Sequence, residues 1–369
     1  MERLSVKTIE YRDFSAGLHG RADEQKGFIK AQIELTYACN LHCVHCYTDP
    51  LNRPDLLKKE MPLQEILALL DKLHTEGILW ICLTGGEIFM RKDFCAIYDH
   101  AHEKGFLITL FTNGTMINEE IVNHLSRKPP FCIEVSFHGA KAETFDKITK
   151  VKGSFEKCVK GIRLLLDAGL PVKLKTKAMT LNRDELGEIK EFVEALGLQF
   201  SVNGVIYPRL DGDTSSCEYR LNPDEILKLE SSNPGEDEDE SENCPESGTL
   251  PIRTNVYRCG CGKLHSHIDP YGQVGACTWS RKGRFHFKEK SVQEGMKELA
   301  CMLHAEEYDG NSPCRDCPAM SHCEKQPEMA RYESGDIQNP VEHFCELAFG
   351  RLDQTPKTVV NPHQEEKLK

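Results

Sequence analysis

Three cysteines stand within the eight residues from Cys39 to Cys46, in the run TYACNLHCVHCY. Thiolates are soft ligands, and several on one short stretch suit zinc or iron–sulfur chemistry. Three of them can grip one face of a cubic [4Fe–4S] cluster. Such a cluster normally takes four cysteines, so one iron would stay open for another ligand. The competing chemistry is a zinc site completed by His42 or His45. A second group comprises Cys259, Cys261, Cys277, Cys314, Cys317, Cys323 and Cys345. It runs as C-x-C, a lone cysteine, C-x2-C-x5-C and a distant cysteine. Paired C-x2-C knuckles would mark a zinc ribbon, and the pairing here is poor for one. Cys82, Cys95, Cys132, Cys158 and Cys217 mostly lie in apolar patterns and read as buried free thiols.

These residues need elements to position them. Strand-like segments at 29–37, 79–84, 106–113, 131–138, 172–178 and 198–205 alternate with helical patterns at 63–76, 92–104, 119–126, 154–168 and 183–196. Strand–helix repetition predicts a parallel sheet. Six units are too few for the eight-stranded barrel, so the expected fold is α/β with a partial (β/α)6 TIM-like barrel. Several strands alternate rather than running wholly apolar. Ile33, Leu35 and Tyr37 oppose Gln32, Glu34 and Thr36; Ile133, Val135 and Phe137 oppose Glu134, Ser136 and His138; Val172, Leu174 and Ala178 oppose Lys173, Lys175 and Lys177. Helices must cover the apolar sides, so the polar sets face a lumen suited to a charged ligand. The cysteine run directly follows the first strand, at the C-terminal end where barrel active sites lie. The second strand ends in Thr84-Gly85-Gly86-Glu87 and the third in Thr112-Asn113-Gly114. Glycines at such a strand end let backbone approach a ligand closely.

Composition removes other classes. The formal charge of −12 and pI of about 5.7 argue against nucleic acid, whose recognition rests on clustered positive charge. No run approaches the ~18 apolar residues of a membrane span. The opening MERLSVKTIEYRDF has no apolar signal stretch, so a cytoplasmic location is expected. In a reducing compartment, seventeen cysteines point to metal or redox chemistry rather than disulfides. Residues 231–248, SSNPGEDEDESENCPESG, read as a solvated acidic insert.

The first cysteine run resembles the signature of the radical SAM family, C-x3-C-x2-C followed by an aromatic residue, here Tyr47. The resemblance implies that the open iron chelates the amino and carboxylate groups of S-adenosylmethionine. One electron then breaks the sulfonium C–S bond, and a 5′-deoxyadenosyl radical abstracts hydrogen from substrate. It also implies a cofactor site. Gly85, Gly86 and Glu87 match the family's Gly-Gly-Glu motif, with Ile88 where proline usually follows. There Glu87 accepts hydrogen bonds from the methionyl ammonium. Thr112 and Asn113 match a third contact region, and Ser136 the position that contacts the ribose or carboxylate. Lys175 or Lys177, inward on the fifth strand, would neutralise the carboxylate. The resemblance covers about residues 29–205.

The second cysteine group, with Gly272 five residues before Cys277, resembles the SPASM extension of radical SAM enzymes that mostly modify peptides. That extension holds two auxiliary [4Fe–4S] clusters. By resemblance Cys314, Cys317, Cys323 and Cys345 close one of them. Cys259, Cys261 and Cys277 hold the other, whose fourth ligand is not evident because Pro327 stands where the family's last cysteine falls. That cluster is open to substrate, is completed by Cys301, Cys244 or a carboxylate such as Glu324, or is a smaller cluster. The expected organisation is an N-terminal segment (1–28), the radical SAM partial barrel (29–210), a linker with the acidic insert (211–255), a small loop-rich SPASM domain with a β-hairpin and short helices (256–350), and a polar tail (351–369).

The resemblance implies a radical SAM oxidoreductase acting on a peptide or protein, with an electron donor such as flavodoxin or ferredoxin. About 28 residues precede the first strand, too few for a winged-helix leader-binding domain, so a peptide substrate would need a separate carrier protein or a different docking surface at 211–253. Thr278 follows Cys277 where anaerobic sulfatase-maturating enzymes place an aspartate, which argues against that class. The alternative enzyme class is tetrapyrrole side-chain chemistry, with Arg209, Arg281, Lys282 and Arg284 offering charge near the lumen. The alternative without turnover is an Fe–S or zinc binding module.

Overall fold

The computed structural model describes residues 10–25, 27–232, 254–258, 262 and 264–354. Cys244, Cys259, Cys261 and most of the acidic insert lie outside the described residues. A first helix, α1 (Tyr11–Gln25), precedes six strand–helix units: β1 (Lys30–Thr36), α2 (Pro54–Leu57), α3 (Leu63–Thr75), β2 (Trp80–Gly85), α4 (Phe94–Glu103), β3 (Leu107–Thr112), α5 (Glu119–Arg127), β4 (Cys132–Ser136), α6 (Ala142–Thr149), α7 (Ser154–Asp167), β5 (Val172–Lys177), α8 (Leu186–Ala195) and β6 (Phe200–Asn203). After α9 (Pro223–Ser232) come β7 (His265–Ile268), β8 (Gln273–Gly275), β9 (Phe285–His286), α10 (Val292–His304), α11 (Pro327–Ser334) and α12 (Glu342–Gln354).

The six expected strands are all present, and β1 to β6 pair in parallel and in sequence order. The cause is visible in α3, where Ile66, Leu69, Leu70 and Leu73 recur at helical spacing and are fully enclosed. Burying each such side chain contributes roughly 1.5–3 kcal/mol. They pack in one continuous core with Ile33, Leu35, Ile133, Val135 and Leu174 of the strands. The sheet does not close on itself.

β7 pairs in parallel with β1 on its free side, and β8 and β9 continue antiparallel from it. The C-terminal hairpin therefore extends the barrel sheet to nine strands in the order β6-β5-β4-β3-β2-β1-β7-β8-β9. An uncovered β1 would be an open edge. The hairpin covers it, and the chain division expected at 256 falls within a single sheet.

The N-terminal segment holds a helix that carries little amphipathic pattern. α1 packs at the N-terminal ends of the strands. Trp80 donates its indole N–H to the Tyr11 hydroxyl at 3.1 Å, and the Tyr11 ring lies 4.9 Å from Phe131. Among the described residues no helix is long and apolar enough to cross a membrane.

Candidate active site

The cysteine loop leaves β1 and is held along its length by main-chain bonds from its neighbours. Gly86 N–H donates to Thr36 O at 2.7 Å and Glu87 N–H to Ala38 O at 2.8 Å. His42 and Val44 donate to Thr149 O and Ile148 O at the end of α6. Asn52 donates its side-chain N–H to Cys39 O at 2.8 Å. Arg209 donates to Cys46 O at 2.9 Å and Val44 O at 3.0 Å. Val44 itself is buried with Ile148, Met179 and Ile206. The sequence offered Arg209 only as charge near the lumen, and it did not mark α6 as part of the site. Here the guanidinium is buried and bridges the loop to Asp213 at 3.2 Å.

The two glycines act against protein. Gly85 has φ of +127°, and a Cβ there would meet Thr36 O at 2.2 Å. At Gly86 a Cβ would meet Ala38 O at 2.3 Å. Their bareness lets β2 press against the loop that carries the cysteines.

Glu87 is bound by the protein's own donors. Its carboxylate is 0% exposed and accepts from Phe89 N–H at 3.2 Å, Thr112 Oγ1 at 2.8 Å and Asn113 N–H at 2.7 Å. Burial pushes its pKa up to about 7, against the pull of those hydrogen bonds. These bonds tie the end of β2 to the end of β3. Asn113 then reaches the cysteine loop: Nδ2 donates to Asn40 Oδ1 at 3.0 Å and to Cys39 Sγ at 3.7 Å. Asn40 was not singled out from sequence. It also donates to Thr115 Oγ1 at 2.8 Å.

In the lumen, Lys175 pairs with Glu134 at 2.6 Å and lies over the Phe111 ring. Ser136 sits opposite Lys175 in the β4–β5 register. Lys177 donates to Asn203 Oδ1 at 2.8 Å. Lys173, at the far end of β5, is exposed, so the inward charge is confined to the other two lysines. The Tyr47 hydroxyl donates to Glu34 at 3.3 Å, and the Tyr37 hydroxyl to the same carboxylate at 2.9 Å. Burial pushes Glu34 up, but attraction to His267 at 3.2 Å and the Tyr37 hydrogen bond outweigh it and hold Glu34 below the usual carboxylate range.

The donor set fits a thiolate-held cluster. Burial pushes the Cys39 thiol up to about 12, and Cys43 and Cys46 are also raised, in Cys43 by neighbouring thiol charge as well. Three such thiolates need a positive centre between them. Leu41 N–H and Asn113 offer hydrogen bonds to the Cys39 sulfur, and Thr48 lies 3.4 Å from that of Cys46. Among the described residues no three His, Cys, Asp or Glu side chains converge on a single ion. A cube binds each thiolate at a separate iron, so it does not require that convergence. Of the two histidines weighed for zinc, His42 is 56% exposed and meets Asp49 at 2.8 Å. His45 is buried edge-on to His138, 4.7 Å between ring centres.

The C-terminal cysteines divide. Cys314, Cys317, Cys323 and Cys345 line one cavity with Arg258, Tyr308, Met320 and Lys325. Three come from the loop before α11 and the fourth from α12, elements 22 residues apart in sequence (345 minus 323) that pack together. Cys277 lies between β8 and β9, its sulfur accepting from Ser280 N–H at 3.3 Å. Two residues on, Trp279 lies 5.0 Å from the Tyr47 ring and 5.3 Å from Tyr207, and donates to Pro208 O at 3.2 Å. The loop of Cys277 thus abuts the first cysteine loop, a contact no sequence pattern marked. Of the groups weighed as a fourth ligand there, Cys301 is on the exposed side of α10 and Glu324 is engaged by Arg351 at 3.0 Å.

Comparison with known proteins identifies the class. The family model described as the Radical SAM superfamily matches residues 33–196. The antilisterial bacteriocin subtilosin biosynthesis protein AlbA of Bacillus subtilis (strain 168) is 28% identical over 345 residues, covering 87% of this chain and 69% of AlbA. The AdoMet-dependent heme synthase of Methanosarcina barkeri is 32% identical over 164 residues, covering 44% of this chain and 46% of that protein. The crystal structure of Streptococcus suis SuiB bound to precursor peptide SuiA superposes with a TM-score of 0.67 at 15% identity, covering 94% of this chain and 83% of that one, a likeness of fold. The chain carries a radical SAM domain and is an enzyme of that type; such a domain takes S-adenosylmethionine and a [4Fe–4S] cluster.

Proposed function

We propose that this enzyme abstracts hydrogen from a peptide or protein substrate and thereby modifies it. When bound, the cluster and S-adenosylmethionine supply a 5′-deoxyadenosyl radical. Cys39, Cys43 and Cys46 would hold the cluster. Tyr47, Gly85, Gly86, Thr112, Asn113 and Ser136 line the cofactor's place at the strand ends. Glu87 orients that wall by binding Thr112 and Asn113. Lys175 stands beside Glu134 as the cation for a carboxylate, with Lys177 held by Asn203. Cys314, Cys317, Cys323 and Cys345 hold a closed auxiliary cluster, and Cys277, with Cys259 and Cys261, a second. The observation that carries the reading is the cysteine loop, fixed at the C-terminal end of β1 by bonds from β2, α6 and Arg209.

A peptide substrate is favoured by the reach of the resemblance. AlbA and SuiB align across the barrel and the cysteine-rich C-terminal part, whereas the heme synthase match covers 44% of the chain. The cations weighed for a carboxylated tetrapyrrole are also largely engaged: Arg209 on the cysteine loop, Lys282 on Glu306, and Arg284 on Asp269 and three backbone carbonyls. Anaerobic protein of confirmed iron content, given S-adenosylmethionine and dithionite, is expected to form 5′-deoxyadenosine; none at full cluster loading would sink the enzyme mechanism.

A further inference from the structure

Lys325 stands two residues beyond Cys323, and its sequence context does not distinguish it from a surface lysine. In the structure its ammonium is fixed. Nζ donates to Ile337 O at 3.0 Å, to Asn339 O at 2.9 Å and to the Cys314 sulfur at 3.6 Å. It also lies over the Tyr308 ring, 5.2 Å from the centre. An ammonium has three donors, and these partners use all of them. Lysine normally keeps its flexible stem and hydrated charge at the surface, so this ordering has a cost in side-chain entropy. The other cation of the cavity, Arg258, spends an N–H on Met320 O at 2.9 Å. Lys325 is therefore the cation seen to hydrogen-bond a sulfur of the four-thiol cavity, among the described residues.

We propose that Lys325 is a positioning residue that fixes a positive charge on the Cys314 sulfur and raises the reduction potential of the iron–sulfur cluster held by Cys314, Cys317, Cys323 and Cys345. The inference rests on reading those four thiols as a cluster site. Reduction brings one electron from an external low-potential donor onto the cluster and makes its sulfurs more negative. Lys325 neither gives nor takes the electron. Hydrogen bonds to cluster sulfurs are a recognised control on potential. A charge-assisted bond to the sulfur of the buried Cys314 favours the reduced form roughly tenfold, which is about 59 mV for a one-electron couple.

The test is an anaerobic redox titration with dithionite, followed by electron paramagnetic resonance, on the full chain carrying Cys39→Ala, Cys43→Ala and Cys46→Ala to silence the first site. The signal that Cys317→Ala removes identifies the cluster in question. Lys325→Met and Lys325→Gln are expected to lower its midpoint by about that tenfold change, and Lys325→Arg to hold it near the parent value. Loss of the cluster from both neutral variants, with retention in the arginine variant, supports the same conclusion, because charge is then needed even for assembly. An unchanged midpoint in the neutral variants at full iron content overturns the proposal, as does loss of the cluster from all three. If Cys317→Ala removes no signal, the cluster reading itself fails and takes this inference with it, an outcome distinct from an unmoved potential.

Discussion

Cys39, Cys43 and Cys46 come from one loop whose carbonyls and amides are bound by β2, α6 and Arg209. Cys314, Cys317, Cys323 and Cys345 come from a loop and a separate helix, gathered around a cavity with a lysine bonded to one sulfur. The first arrangement keeps three thiols together by local spacing and leaves the tertiary structure to fix their backbone. In the second, α12 must dock before the fourth thiol exists for the site at all. The difference teaches what each site is suited to. A three-point grip at the end of a barrel leaves a corner for a small molecule, whereas a four-point enclosure suits a cluster whose coordination is complete.

The sharpest way to break this comparison is Cys43→Ala. Two thiolates remain on the loop, and formation of 5′-deoxyadenosine should fall to background; persistence of turnover would show that the loop is not the cofactor's anchor. Cys317→Ala should remove one cluster's share of iron while the first cluster's signal stays. An iron content equal to the parent's would place the four thiols outside cluster binding.

A smaller effect distinguishes anchoring from ligation. Glu87→Ala leaves three donors without their acceptor, at Phe89, Thr112 and Asn113. Each orphaned buried donor costs ~1–3 kcal/mol, so a loss of roughly 3 kcal/mol is expected in chemical denaturation of the metal-free chain. Stability within error of the parent would refute the tying role.

The smallest effect concerns the support behind the first loop. Asp146 of α6 accepts from Gly153 N–H at 2.6 Å, Ser154 Oγ at 2.9 Å and Phe155 N–H at 3.0 Å. Burial pushes its pKa up, but those bonds outweigh it and hold it below the ordinary range. A depressed carboxylate stabilises the fold at neutral pH, and that contribution is lost as pH falls through its lowered value. Asp146→Asn should cost ~1 kcal/mol at neutral pH, as for a lost helix cap, and should flatten the acid limb of a stability–pH curve. An acid limb identical to the parent's would remove Asp146 from the account.

Much of the barrel was legible because its strands and helices carry strong periods. Ile66, Leu69, Leu70 and Leu73 announce α3, and alternation announces β4. α1 was not legible, since it packs through a few aromatic contacts rather than a regular stripe. The sheet's extension by β7 was equally hidden, because a four-residue strand has no pattern that names its partner. At the site, residue types were readable and their partners were not. Glu87 was legible as an acceptor, but its bonds to Phe89, Thr112 and Asn113 were not. Arg209 was legible as charge near the lumen, but its bonds to Cys46 O and Val44 O on the cysteine loop were not.

By itself the chain order decided the residue types, the spacing of Cys39, Cys43 and Cys46, and the strand ends on which Glu87 and Asn113 fall, because these follow from covalent connectivity and local periodicity. The resemblance already grouped Cys345 with Cys314, but only the tertiary structure showed how α12 brings it there, that Trp279 touches Tyr47, and that Lys325 rests on a sulfur. Those contacts bridge long stretches of chain, and which distant groups meet depends on how the elements bury their apolar faces together.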